Sequence, residues 1–179
     1  MDRKELNELI DNDLFSGKYS EVSVIKRIRV KHFTPSTNFV FLCRLMWYYY
    51  QNGDRLAAKF LYLKIYRKYN CCVFPDAKIG KGLSVYHPIG IVIGHCRAGE
   101  NLSILQGVTI GEKSIGEHEK DKECIPTIGN NVTLGANSCV LGNVSICDNV
   151  VVGANSVVVN NLENAGVYVG APARRVSGA

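Results

Sequence analysis

Six asparagines recur every six residues in the second half of the chain: Asn131, Asn137, Asn143, Asn149, Asn155 and Asn161. Three positions before each stands an aliphatic residue: Ile128, Leu134, Val140, Ile146, Val152 and Val158. One position after each comes a small or apolar one: Val132, Ser138, Val144, Val150, Ser156 or Leu162. This period matches neither the turn of a helix nor the two-residue alternation of a strand. It requires a solenoid in which each hexad forms one short strand and one corner. The aliphatic residues then stack into a core, and asparagine accepts a left-handed backbone at the corner at low cost.

Upstream, Val73, Ile79 and Val85 keep the period, and Ile104 and Ile110 keep it again. Between these runs it slips, to eight residues from Val85 to Ile93 and eleven from Ile93 to Ile104. A slip marks a corner that has to carry something, and the first falls directly after His87. From Ile110 to Ile128 the pattern disappears beneath Glu112–Cys124, which holds five acids, three lysines and His118. That segment is too polar for a core and reads as a loop thrown out from the coil.

Residues 1–70 have another character. Leu6, Leu9, Ile10 and Leu14 recur at helical spacing behind Asp2, a candidate cap, and Ser20 or Ser23 is placed to open a second helix ending before Pro35. An apolar and aromatic run from Thr37 to Tyr50 is broken at Asn52-Gly53, and Arg55 to Tyr69 forms a further helical stretch. After Asn161, the residues Gly166, Gly170 and Pro172 predict an irregular tail draped along the last coil. The expected fold is mainly β: a helical region over residues 1–70, a parallel β-helix over 71–165 with a loop at 112–124, and a tail over 166–179.

A chain of 179 residues is one domain, or a small helical domain fused to a solenoid. Its seven cysteines include no CxxC pair and read as reduced thiols of a cytoplasmic protein, with Cys139 and Cys147 as packing residues inside the hexads. No apolar run approaches the roughly twenty residues of a membrane-spanning helix. The net charge of +5 is uneven, because residues 18–70 hold eleven Lys and Arg against Glu21 and Asp54. Basic helices rich in aromatics can lie on the inner membrane surface. The preferred alternative has the aromatics packing the helices together and the charges facing water. No recognised nucleic-acid motif accompanies the charge, so that class of partner is set aside.

The stretch Tyr86-His87-Pro88-Ile89-Gly90-Ile91-Val92-Ile93-Gly94, followed by Ser103-Ile104-Leu105-Gln106-Gly107-Val108-Thr109-Ile110-Gly111, resembles the hexapeptide-repeat acyltransferases of the serine acetyltransferase-like branch. The ending Gly170-Ala171-Pro172-Ala173-Arg174-Arg175-Val176 looks like that family's closing motif. Pro35-Ser36 before an aromatic helix looks more like the short members found with polysaccharide biosynthesis. The resemblance implies a left-handed coil, a homotrimer or a dimer of trimers, and acetyl-CoA as co-substrate with no metal. It makes His87 the general base, since a neutral imidazole is suited to take a hydroxyl proton near neutral pH. His95 and His118 have no matching motif, although His118 could reach a site from the loop. For the cofactor it implies a pantetheine arm lying on bare backbone at Gly135, Ala136, Gly153 and Ala154. Gly111 and Lys113 would then flank the thioester, and Arg174 and Arg175 would meet phosphates.

Three departures bear on the acceptor. The aspartate that orients the histidine in the serine enzymes is Cys72 here, the aspartate just before the histidine is Tyr86, and the Arg-His pair before the re-entry proline is Cys124-Ile125. A zwitterionic serine needs charged partners, so their loss turns the expectation towards a sugar hydroxyl of a surface-polysaccharide precursor. Serine O-acetylation is the alternative. A non-catalytic structural β-helix is the third reading, and the intact His87 motif weighs against it.

Overall fold

The computed structural model describes residues 1–15, 34–113 and 125–177. Three helices precede the coil: α1 (Arg3–Phe15), α2 (Pro35–Gln51) and α3 (Arg55–Tyr69). Asp2 does cap α1, its Oδ1 accepting from the backbone N–H groups of Lys4 and Glu5 at 2.6 and 2.8 Å. Thr34 caps α2 ahead of Pro35, where the missing proline N–H costs nothing. Asp54 caps α3, and Asn70 ends it in the left-handed conformation at φ 51°. The helix expected to open at Ser20 or Ser23 lies outside the described residues.

Each coil then lays down three short strands. The first has β1 (Cys72–Val73), β2 (Lys78–Ile79) and β3 (Ser84–Val85), and the second β4 (Val92–Ile93), β5 (Arg97–Ala98) and β6 (Ser103–Ile104). The third has β7 (Thr109–Gly111), β8 (Thr127–Ile128) and β9 (Thr133–Leu134), and the fourth β10 (Cys139–Leu141), β11 (Ser145–Ile146) and β12 (Val150–Val152). β13 (Val157–Val158) begins the last, and β14 (Gly166–Val169) and β15 (Arg174–Ser177) close the stack. Strands one coil apart pair in parallel and make three sheets, ordered β1-β4-β7-β10-β13, β2-β5-β8-β11 and β3-β6-β9-β12-β14-β15.

The inward residues form columns. Val73, Ile93, Ile110, Val140 and Val158 stack in register on the first sheet, each at most 1 % exposed. Val85, Ile104, Leu134 and Val152 stack likewise on the third, each at most 3 % exposed. Full burial of each such side chain contributes about 1.5–3 kcal/mol, so the stack itself is the core. In the long gap between Ile93 and Ile104, Ala98 takes the inward slot on β5, paired with Ile79 and Ile128, and the coil is one residue short there, Val92 pairing with Thr109 across 17 residues. The slip after Val85 is real, because Cys72 pairs with Val92 across 20 residues, whereas Thr127 pairs with Ser145 across 18.

Two further expectations need correction. Asn131, Asn137, Asn149 and Asn155 are left-handed, but Asn143 and Asn161 are not. At the Asn143 corner Gly142 takes the positive φ, 83°, one residue early. Asn161 instead accepts the N–H of Ser145 at 2.9 Å. The tail is also ordered: β14 adds in parallel to β12, and β15 folds back on it as an antiparallel hairpin that closes the coil.

The helices are fastened to the first coil by one buried ion pair. Arg44 of α2 donates through Nε to Asp13 of α1 at 2.6 Å, and through its terminal nitrogens to the carbonyls of Ile79 and Gly80 at 2.6 Å each. Asp13 also accepts the N–H groups of Gly82 and Leu83. Burial pushes its carboxyl above the ordinary range against the pull of Arg44. One charge of the basic region is thus interior, and Phe39, Met46 and Trp47 are buried, with Trp47 donating to the Phe74 carbonyl at 3.1 Å, while Phe60 and Tyr66 are exposed. No described helix is long and apolar enough to cross a membrane.

Candidate active site

His87 sits on the corner between β3 and β4, where the register slips, and its backbone is left-handed at φ 52°. A branchless glycine or an asparagine usually holds such a conformation, so a histidine there is strained unless its neighbours impose it. They do. Tyr86 N–H donates to the Ile104 carbonyl at 2.8 Å, Ile89 N–H to the His87 carbonyl at 2.7 Å, and Gly107 N–H to the Ile89 carbonyl at 3.0 Å. The buried Pro88 stiffens the same turn. The imidazole is left exposed and makes no hydrogen bond among the described residues.

The ring opens on a cleft of about 660 Å³ between this corner and the helices. Asn38 of α2, and Arg67, Lys68 and Asn70 at the end of α3, line its other wall, and among the described residues no carboxylate lines it. The left-handed cap at Asn70 turns the chain out of α3 straight into β1, which brings this wall against the corner.

The sequence-named residues fall into groups. Tyr86 is 53 % exposed beside the base. Cys72 is half-buried at the start of β1, and its thiol contacts the Tyr62 hydroxyl at 3.5 Å. No hydrogen bond joins Cys72 to His87. The thiol contact, with burial, pushes the Tyr62 hydroxyl up to about 12, so it stays protonated. His118 and Cys124 lie outside the described residues, and Ile125 is half-buried.

Among the cofactor candidates, Gly111 faces open space, since a Cβ there would meet nothing within 4 Å. Lys113 is exposed, with its Cβ 3.1 Å from where a side chain on Gly142 would start. At Gly135 the space is already filled, for a Cβ would lie 2.7 Å from the Ala154 nitrogen on the next coil. At Gly153 it would lie 2.7 Å from Val169. Coil stacking is therefore reason enough for these two glycines. Ala136 is half-buried and Ala154 exposed. Arg174 is exposed on β15, and Arg175 donates to the Ala165 carbonyl at 2.8 and 3.1 Å, holding the closing hairpin.

One constellation escaped the sequence reading. The Nδ1 atom of His95 lies 2.5 Å from Asp76, and the ring packs edge-on against Phe74. The pair lines a separate cleft with Lys78 and Arg97, of about 500 Å³. Its two members stand 19 residues apart, one coil, so listing polar residues at coil spacing would have found it.

Residues 125–160 match the family described as bacterial transferase hexapeptide (six repeats). That stretch of the coil is built of hexapeptide repeats. Over 130 residues the chain is 38 % identical to serine acetyltransferase 1, chloroplastic, of Arabidopsis thaliana, covering 72 % of this chain and 40 % of that protein. The hexapeptide coil and its helices superpose on Neisseria gonorrhoeae serine acetyltransferase in complex with serine. There the TM-score is 0.80 and the identity 28 %, covering 98 % of this chain and 70 % of that one. A serine acetyltransferase in complex with CoA gives a TM-score of 0.69 at 30 % identity, covering 78 % of this chain and 56 % of that one. The chain spans less than half the length of the curated relatives it matches. These relatives are serine acetyltransferases, so the expected nearness to short polysaccharide O-acetyltransferases has no support among them.

Proposed function

We propose that this protein is an acetyl-CoA-dependent O-acetyltransferase with His87 as its general base. The observation that carries the reading is the His87 corner: an exposed, unpartnered imidazole on a backbone that the ladder forces into a left-handed turn, facing a cleft. Strain held in place by surrounding hydrogen bonds is characteristic of functional positions. Similarity to serine acetyltransferases, one of them solved with CoA, supports the donor.

In this reading His87 accepts the proton of an acceptor hydroxyl as its oxygen attacks the thioester carbonyl. A carbon–oxygen bond forms, the carbon–sulfur bond breaks, and the imidazolium returns its proton to the departing sulfur as a thiol. Gly111 leaves room beside the coil for the pantetheine arm, and Lys113 and Arg174 are exposed cations suited to phosphates. Three copies would complete the cofactor cleft, as the family resemblance implies.

L-Serine is the acceptor that the relatives support. A sugar hydroxyl is the second reading, favoured by Cys72, Tyr86 and Ile125 at positions where the serine enzymes carry charge. Thiol release from acetyl-CoA, measured with L-serine, nucleotide sugars and oligosaccharides, decides between them. Saturable release with serine at submillimolar concentration would remove the sugar reading. No release with any of these acceptors would sink the activity itself.

A further inference from the structure

The wall opposite His87 is cationic. Arg67 lies in the last turn of α3, exposed, with no partner among the described residues, and Lys68 follows it. Basic residues in a last helical turn are usually explained by the negative end of the helix dipole. That explanation does not account for what surrounds them. Lys68 is already held, donating to Asn38 Oδ1 at 2.9 Å and sitting over the Tyr69 ring at 5.2 Å. Tyr69 donates to the same oxygen at 2.7 Å. With its oxygen taken twice, Asn38 keeps its amide N–H groups as donors. The wall thus offers a guanidinium, an ammonium and an amide, all donors, with no acid lining the cleft among the described residues.

We infer that Arg67, supported by Lys68 and Asn38, binds a carboxylate or phosphate on the acceptor and so delivers the acceptor's hydroxyl to His87. The inference rests on the reading of His87 as the acetyl-transfer base. Guanidinium geometry matches a carboxylate or phosphate bidentately. Two sources fit the same chemistry: the carboxylate of a free amino acid, or the acidic group of a sugar. Among the described residues of this wall no anion stands ready for the ammonium of a free amino acid, which favours an acidic sugar.

The test compares two acceptor pairs that differ in the negative group, glucuronate against glucose and L-serine against serinamide. Each is measured by calorimetric binding and by thiol release in the wild type, R67A and R67K. The wild type should favour the anionic member of at least one pair by about tenfold or more, the worth of one charge-assisted contact. In R67A that preference should collapse towards one, through KM more than kcat, and R67K should restore part of it. A preference unchanged in R67A, or none in the wild type, overturns the inference. Should thiol release fail for every acceptor, the acetyl-transfer reading falls. Binding then decides alone: Arg67-dependent binding of glucuronate or serine upholds the anion site, and equal or absent binding removes it.

Discussion

At the scale of single residues, the turn at His87 separates chemistry from stability. Asparagine also tolerates a left-handed backbone but carries no basic nitrogen. His87→Asn should therefore melt within error of the wild type, while acetyl transfer falls by on the order of a hundredfold or more, the usual contribution of a general base. Transfer that persists at the original rate in the folded variant would take His87 out of the mechanism. His87 was legible because its neighbours form a contiguous motif and the hexad spacing slips there. The surroundings of Cys72 were not, because Tyr62 reaches it from a packed helix. Nor was the Asp76–His95 pair, whose contact exists only once one coil lies on the next. The cationic wall was hidden for the same reason: nothing local to Arg67 says that the end of α3 meets the corner.

At the scale of the strand and corner, two glycines read alike in sequence and differ in what they face. Gly135→Ala would drive a methyl group into backbone on the next coil, at 2.7 Å from the Ala154 nitrogen, and should destabilise by about 1–3 kcal/mol. Gly111→Ala meets nothing within 4 Å and should leave thermal unfolding unchanged. If the pantetheine arm lies over Gly111, the same variant raises the KM for acetyl-CoA. Denaturant melts and donor kinetics on both proteins check the pair, and a Gly135 variant as stable as the wild type would show that the coils are not in the contact described. The hexads were readable because the inward strand residues Ile128, Leu134, Val140, Ile146, Val152 and Val158 are all aliphatic in the second half. Reading stopped short where alanine fills the inward slot on β5, where Gly142 replaces Asn143 at the corner, and where the closing residues pair as a hairpin. Each obeys the same geometry with a residue that carries a weaker signal.

At the scale of the whole molecule, the proposal that a neighbouring coil completes the cofactor cleft predicts a stable trimer. Light scattering should return three times the mass of the 19.7 kDa chain, or six times that mass if trimers pair through the helices. A monomer that still transfers acetyl groups would end that expectation. The pairing of Thr127 with Ser145, Thr133 with Val151 and Cys139 with Val157, each 18 residues apart, has a different consequence. Along this stretch, distance in sequence converts into height and direction, as on the thread of a screw. A second copy of residues 127–144 inserted after Val144 advances the thread by one full revolution, raising the closing hairpin by about 4.8 Å without turning it. A second copy of 127–132 alone advances it by a third of a revolution and sends the hairpin to the wrong side. The longer insertion should therefore fold and melt near the wild type while the shorter one loses its cap and unfolds early. Equal melting of the two would mean that the thread is not what aligns the closing hairpin with β12.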